Sequence, residues 1–272
     1  MGLSTDTLLH QTDFGNLIKI IKEKHFKVSY SEERLECKTP EMTEPKGYNF
    51  VFPMISFSEI PISSLHNHLY RYGDCIIGMK KEWAISKRIN QVHYYQKESV
   101  LMDSFMEIYN RFYNEVMGRD NRTDTDILHV FHHLEFQVIH SKNYSGEVKT
   151  NHFEDDNYFF AEEKEWRYVP INENIGYTMS KQPKLFKKDK EKFQTEIGKK
   201  VLPFEFDDIR FIILDTEEQK KEIAHILSEL PHKSYLNLFT NDEVKQNFFG
   251  YKNTSMEFYQ LKKENEELNK KL

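Results

Sequence analysis

Two cysteines in 272 residues are too few for a disulfide-stapled fold, and Cys37 and Cys75 stand far apart, in no metal-ligand spacing. A reducing, cytoplasmic setting is the simple reading of such sparse cysteine. The opening stretch MGLSTDTLLHQTDFGN has no basic segment followed by an apolar run, so no secretory leader is expected. Apolar runs of membrane-spanning length are also missing, and no membrane partner is expected. Positive charge is not in excess: the formal net charge is −6, whereas indiscriminate coating of duplex nucleic acid is driven by a large positive field. Neither a G-x-x-x-x-G-K-[ST] phosphate loop nor a G-x-G-x-x-G turn occurs, and no repeat of 20–50 residues is visible.

Aromatic and charged residues are abundant instead. With 21 Phe, 15 Tyr and 30% charged residues of both signs, the chain has the composition of a globular α+β protein. Its length suits one large domain with a small appendage. We place the main domain at residues 1–240, with a helical insertion at about 99–140, and a helical extension at 241–272.

Local patterns supply the elements. Thr7 to His10 read as a strand, Asp13 as a cap, and Leu17, Ile18, Ile20 and Ile21 as the apolar stripe of a helix. Residues 31–49, with Pro40, Pro45 and Gly47, read as a loop. Strands are expected at Phe50–Ser58, Cys75–Met79, Gln91–Tyr95, Tyr158–Val169, Arg210–Leu214 and Tyr235–Phe239. Helices are expected at Pro61–Tyr70, Glu82–Arg88, Ser99–Gly118, Thr123–His140 and Thr216–Leu230. In the third of these, Leu101, Phe105, Ile108 and Phe112 share a face. Beyond Thr254, Leu261, Leu268 and Leu272 have a heptad-like spacing, either a solvated helix or a handle for a partner.

Five stretches carry a resemblance: LLHQTDFGNLIKII (8–21), PMISFSEIPISSLHNHLYRYGDCIIGMKKEWAISKRINQVHYY (53–95), SKNYSGE (141–147), YFFAEEKEWRYVP (158–170) and LPFEFDDIRFIIL (202–214). They resemble the AbiGi abortive-infection family, which implies a phage-defence role in the cytosol. A more distant resemblance lies in the order of elements: strand–His–turn–helix, then strand–Ser–x–Ser–helix–strand, then strand–Glu. It is similar to the ADP-ribosyltransferase fold, a split mixed or antiparallel sheet with flanking helices. That resemblance implies His10, Ser56 and Glu165 as signature positions and NAD as substrate. Cleaving the nicotinamide–ribose bond builds positive charge on the ribose, which a fixed carboxylate at Glu165 would offset. On a strand, Glu163 and Glu165 face the same way, so the first acid could activate the acceptor. Gln11 and Thr12 would grip the dinucleotide beside His10, Ser56 would orient Glu165, and Ser58 would brace the turn. Phe57, Tyr70 and Tyr72 would supply the apolar wall.

The resulting expectation is a toxin that transfers ADP-ribose to RNA, DNA or protein, held silent by an inhibitory antitoxin or chaperone partner. Two departures from the transferase pattern, Gln11 where Gly is usual and Ser56 where Tyr is usual, favour another reading: an inactive transferase-like module that neutralises a partner toxin. A nuclease toxin using His10 and the acids is a third. Blander readings stand beside these. His10 could be a core histidine, and Glu163 and Glu165 the solvated face of an antiparallel strand, paired with Lys164 or Arg167. His129 and His133, four apart on a helix, could bind zinc or merely decorate the helix. Phe186 and Phe193 among the lysines of 181–200 suit single-stranded nucleic acid or a solvated loop.

Overall fold

The computed structural model describes residues 5–38, 44, 46–61, 65, 72–118, 125–149, 153–170, 183–230 and 236–249. Most of the helix expected at Pro61–Tyr70, including Tyr70 itself, and the extension from residue 250 onward lie outside them.

In chain order the first half runs β1 (Thr7–Thr12), α1 (Phe14–Glu23), β2 (His25–Lys27), β3 (Ser29–Cys37), β4 (Lys46–Ser58), β5 (Cys75–Lys80), α2 (Lys81–Ser86), β6 (Asn90–Gln91) and β7 (His93–Tyr95). Helices α3 (Val100–Gly118) and α4 (Thr125–Ile139) follow, then β8 (Ser141–Asn143), β9 (Gly146–Lys149), β10 (Glu154–Tyr158) and β11 (Glu165–Tyr168). The chain continues with α5 (Pro183–Lys188), α6 (Lys190–Ile197), β12 (Val201–Pro203), β13 (Ile209–Leu214), α7 (Glu217–Glu229), β14 (Asn237–Thr240) and α8 (Asn241–Phe249).

The architecture is mixed α+β. An eight-stranded sheet has the order β14-β13-β5-β1-β4-β11-β6, with β3 also paired to β4. Only β13 and β14 run parallel within it, which is why a helix, α7, returns the chain between them. The 31–49 segment is not a loop. Its alternating charges form β3, which pairs with β4 from Ser29↔Met54 to Cys37↔Lys46. Pro40 and Pro45 lie outside the described residues, and Gly47 sits within β4.

Local signals explain the helix ends. Asp13 Oδ1 accepts from Asn16 N at 2.8 Å and caps α1, while Thr216 Oγ1 accepts from Gln219 N at 3.2 Å and caps α7. Leu17, Ile20 and Ile21 of α1 and Ile223, Ile226 and Leu227 of α7 are buried on one face of the sheet, against Leu8, Phe57, Ile77, Met79 and Trp83. The other face carries two separate cores. At one end, Leu9, Ile76, Phe211 and Ile213 pack with Val244 of α8. At the other, Leu35, Phe50, Phe52 and Met54 pack with α3 and α4.

Helix α3 turns toward that second core through Met102, Met106, Tyr109 and Val116. The face expected to be buried is the outer one: Leu101 is 67% and Ile108 45% exposed, with Phe105 and Phe112 partly buried beside them. Both stripes satisfy a helical period, so the pattern alone does not choose between them. The lysine-rich segment is also more ordered than expected. Phe186 is buried, lies 5.4 Å from the Tyr30 ring and stacks on Phe193, so these aromatics face inward and are not available to stack on bases. Among the described residues no helix is long and apolar enough to cross a membrane.

Candidate functional site

Between the two cores of the second face lies a cavity of about 540 Å³. Strands β1 and β4 supply part of its floor through Leu9, Gln11, Met54, Ser56 and Ser58. The registers explain this sharing: Leu9 and Glu165 both pair with Ser58, and Arg167 pairs with Ser56. Directly paired residues lie on the same face, so Glu165 and Arg167 point with Ser56 and Ser58.

His10 is one residue out of step with Leu9 and Gln11, and therefore points the other way. Its ring packs 4.9 Å from Phe26 and 5.5 Å from Phe57, within the α1–α7 core. Its Nδ1 donates to the Ser56 carbonyl oxygen at 3.0 Å. Burial lowers its pKa, partly offset by that hydrogen bond, so the ring is held neutral. His10 is thus a half-buried histidine packed against that core. It and Glu165 lie on opposite sides of the sheet, and the shared dinucleotide site expected for them does not form. Phe57 is on the His10 side too, and Thr12 follows it by alternation. Gln11, Ser56, Ser58, Tyr72, Glu163 and Glu165 do border the cavity, whereas Tyr70 lies outside the described residues.

The two acids converge, but not as neighbours on one strand. Residues Phe160–Glu163 form a 3₁₀ turn, and Lys164 takes a left-handed conformation, φ 44°, before β11 begins. That reversal brings both carboxylates onto Lys142, whose Nζ is 2.7 Å from Glu165 and 3.2 Å from Glu163. The Lys142 ammonium also lies 4.8 Å from the centre of the Phe160 ring. Arg167, fully buried, donates from Nε to Glu165 at 2.6 Å and pairs with Glu33 at 3.2 Å. It further donates from Nη1 to the Ile139 carbonyl at 2.6 Å. Glu163 accepts from the Tyr72 hydroxyl at 2.6 Å and from the Tyr158 hydroxyl at 3.0 Å. The Glu165 backbone N–H donates to Tyr94 Oη at 2.7 Å.

Burial alone would raise the Glu165 pKa. Arg167 and Lys142 outweigh it and hold the carboxyl down at about 2. The Lys142 pKa is raised well above the usual lysine value: burial opposes its charge, but Glu165 and Glu163 overcome that. Such a network is a settled set of ion pairs. An acid pinned ionised by two cations has no proton to give and little basicity to take one. Ser56 does not set its orientation; Arg167 and Lys142 do.

Gln11 has a structural task as well: its Nε2 donates to the Gly73 carbonyl at 2.8 Å. Gly73 has φ +142°, and a Cβ there would fall 2.3 Å from the Thr12 carbonyl carbon, so glycine is what lets this turn lie against β1. The turn in turn presents Tyr72 to Glu163. Charge around the cavity is unbalanced. Glu32, Glu33, Glu36, Glu147, Glu163 and Glu165 line it against Arg34, Lys142 and Lys149. A dinucleotide with its anionic pyrophosphate would enter a negative field.

The chain matches one family model over residues 17–215, that of AbiGi, described as "Putative abortive phage resistance protein AbiGi, antitoxin". The chain belongs to the AbiGi family. The toxin reading is corrected: the family is described as an antitoxin, and an antitoxin family suggests a toxin partner in an abortive-infection system. No curated protein and no solved structure matches the chain, so the likeness to the ADP-ribosyltransferase fold has no structural neighbour behind it. Of the partners of Glu165, Arg167 is legible in the sequence as a neighbour that could pair with the acids; Lys142 and Tyr94, and Glu33 on the far side of Arg167, are remote in sequence and give no signal. Among the described residues no group of three or more His, Cys, Asp or Glu could hold a metal ion, and His132 in the histidine-rich α4 lies 3.5 Å from Glu135 instead.

Proposed function

We propose that this protein is the antitoxin-like binding module of an abortive-infection system, and that it acts by holding a partner toxin inactive. The observation that carries the reading is the family match over residues 17–215. The site chemistry is compatible with it. The acids that a catalytic role would need are spent on Lys142 and Arg167, and the half-buried imidazole packs on the other side of the sheet. What the fold offers is a preorganised surface: a rigid charge network under a cavity, framed by two independent cores. A partner binding such a surface loses little free energy to ordering it.

The test is growth. Expressed alone in bacteria, the chain should be harmless. Expressed with the toxin of its own defence system, it should restore growth and co-purify with that toxin. Growth arrest by the chain alone would overturn the reading.

A further inference from the structure

The cavity on the second face of the sheet has two properties that together define an occupant. The first is charge. Its floor holds three carboxylates, the half-buried Glu33 and the buried Glu163 and Glu165, against Lys142 in the cavity and the fully buried Arg167 behind them. Buried charge left uncompensated is unfavourable, and an additional cation is what would balance this set. At the rim Glu36 pairs with the neighbouring Arg34 at 2.9 Å, Glu32 and Glu147 are exposed, and Lys149 pairs with Glu154, so the lining as a whole keeps more carboxylates than cations. The second property is the apolar wall formed by Leu9, Met54, Val148 and Phe160. An inorganic cation has no use for such a wall. A long aliphatic stem ending in a positive head uses both parts, the stem along the wall and the head among the carboxylates.

Lys142 already shows this binding mode within the chain. Its ammonium sits between Glu163 and Glu165 with the Phe160 ring beside it. The cavity is therefore chemically suited to a further side chain of the same kind. Its volume of about 540 Å³ falls within the range of ordinary ligand pockets, large enough for more than one side chain.

We propose that this cavity receives a lysine- or arginine-bearing segment of the partner toxin, and that the glutamates of its rim and floor select it. This deepens the antitoxin reading and rests on it for the identity of the partner, but not for the chemistry of the site. Glu36 and Glu147 at the rim would steer and hold the cation, and Glu33 would meet it at depth.

The experiment uses the full chain and two probes. The first probe is the capped tripeptide acetyl-Arg-Lys-Arg-amide, titrated by calorimetry, with acetyl-Glu-Ser-Glu-amide as control. The expected result is binding of the basic peptide alone, weakened at least tenfold in Glu36→Lys/Glu147→Lys, a rim variant that leaves the buried network intact. Raising the salt should weaken binding to the native chain more than to the variant. No binding of the basic peptide, or equal binding by the rim variant, would overturn the proposal. The second probe is the co-expressed toxin. If the native chain silences it and the folded rim variant does so equally, with equal affinity, the cavity proposal falls while the antitoxin reading stands. If no toxin is silenced but the peptide still binds and the rim variant loses it, the antitoxin reading falls and the cationic site stands.

Discussion

The two faces of the central sheet are built from the same strands by opposite means. On the α1–α7 face, Phe57 meets Phe26, Trp83 and His10, and the polar imidazole is kept neutral by burial. On the other face, one residue along each strand, Glu165 and Arg167 are buried as ions. An apolar core draws its stability from area removed from water and tolerates no charge. A buried ionic set must be complete, because each member left alone retains the penalty of its burial. The first design draws little on charge, and its pH dependence enters through His10, whose lowered pKa costs stability as the pH falls below the ordinary histidine value. The second is sensitive to the loss of a single partner, and leaves a cavity with a field in it.

The largest expected effects separate the two designs by their response to pH. Phe57→Ala should cost about 3–5 kcal/mol through lost transfer energy and the cavity left behind. Arg167→Met should cost a similar ~3–5 kcal/mol at neutral pH, because Glu165 and Glu33 lose a buried partner. Urea unfolding distinguishes them: between pH 7 and pH 4 the Arg167→Met deficit should shrink as the orphaned carboxylates protonate, whereas the Phe57→Ala deficit should change only through the neighbouring His10 ring, 5.5 Å away. A pH-independent Arg167→Met deficit would mean that Arg167 acts by packing against Phe52, 5.3 Å away, rather than by charge.

The native chain should show the same contrast. Glu165 is depressed from 4.5 to about 2, so the folded state releases this proton more readily than the unfolded state. The stability it contributes is complete above pH 4.5 and is lost as pH falls through the folded value near 2. Each tenfold gain in acidity corresponds to about 1.4 kcal/mol, which makes this contribution on the order of 3 kcal/mol. Denaturant midpoints between pH 6 and pH 2 should fall accordingly, and the fall should be much smaller in Glu165→Gln, which is less stable at neutral pH. Glu165→Gln is the natural substitution for probing catalysis, yet here it reads out folding, and any functional assay of it needs a stability control.

How much of this is legible in the sequence depends on whether the information is local. Helices α1 and α7 and strands β1, β5 and β13 follow from hydrophobic period and caps, and they build the first face. The convergence of Glu163 and Glu165 is legible too, though through a strand alternation that does not exist there, since a turn and a left-handed Lys164 bring them together. The face on which His10 lies is not legible. Alternation gives relative direction along one strand, and only the register of β1 with β4 sets it against Glu165. Lys142 belongs to the SKNYSGE stretch, and its role arises from a contact that local pattern does not encode.

Lys164 allows a finer test of the charged face. A left-handed backbone is unfavourable for an L-residue and neutral for glycine. Lys164→Gly should therefore raise stability by about 0.5–1 kcal/mol, measured by thermal or urea unfolding, while the carboxylates on either side keep their positions. A loss of stability would show that the lysine side chain contributes more than its backbone strain removes.

The smallest expected effect concerns the helix that covers the second face. Leu101 and Met102 are adjacent on α3, yet Leu101 is 67% exposed and Met102 is fully buried. Leu101→Gln should change stability by no more than about 0.5 kcal/mol, whereas Met102→Ala should cost about 2–5 kcal/mol. The near-silence of the first substitution is informative because Leu101 and Met102 belong to alternative apolar stripes between which the sequence pattern alone does not choose. If Leu101→Gln proved as damaging as Met102→Ala, α3 would be buried on both sides, and its outer stripe would be covered by a contact that the described residues do not supply.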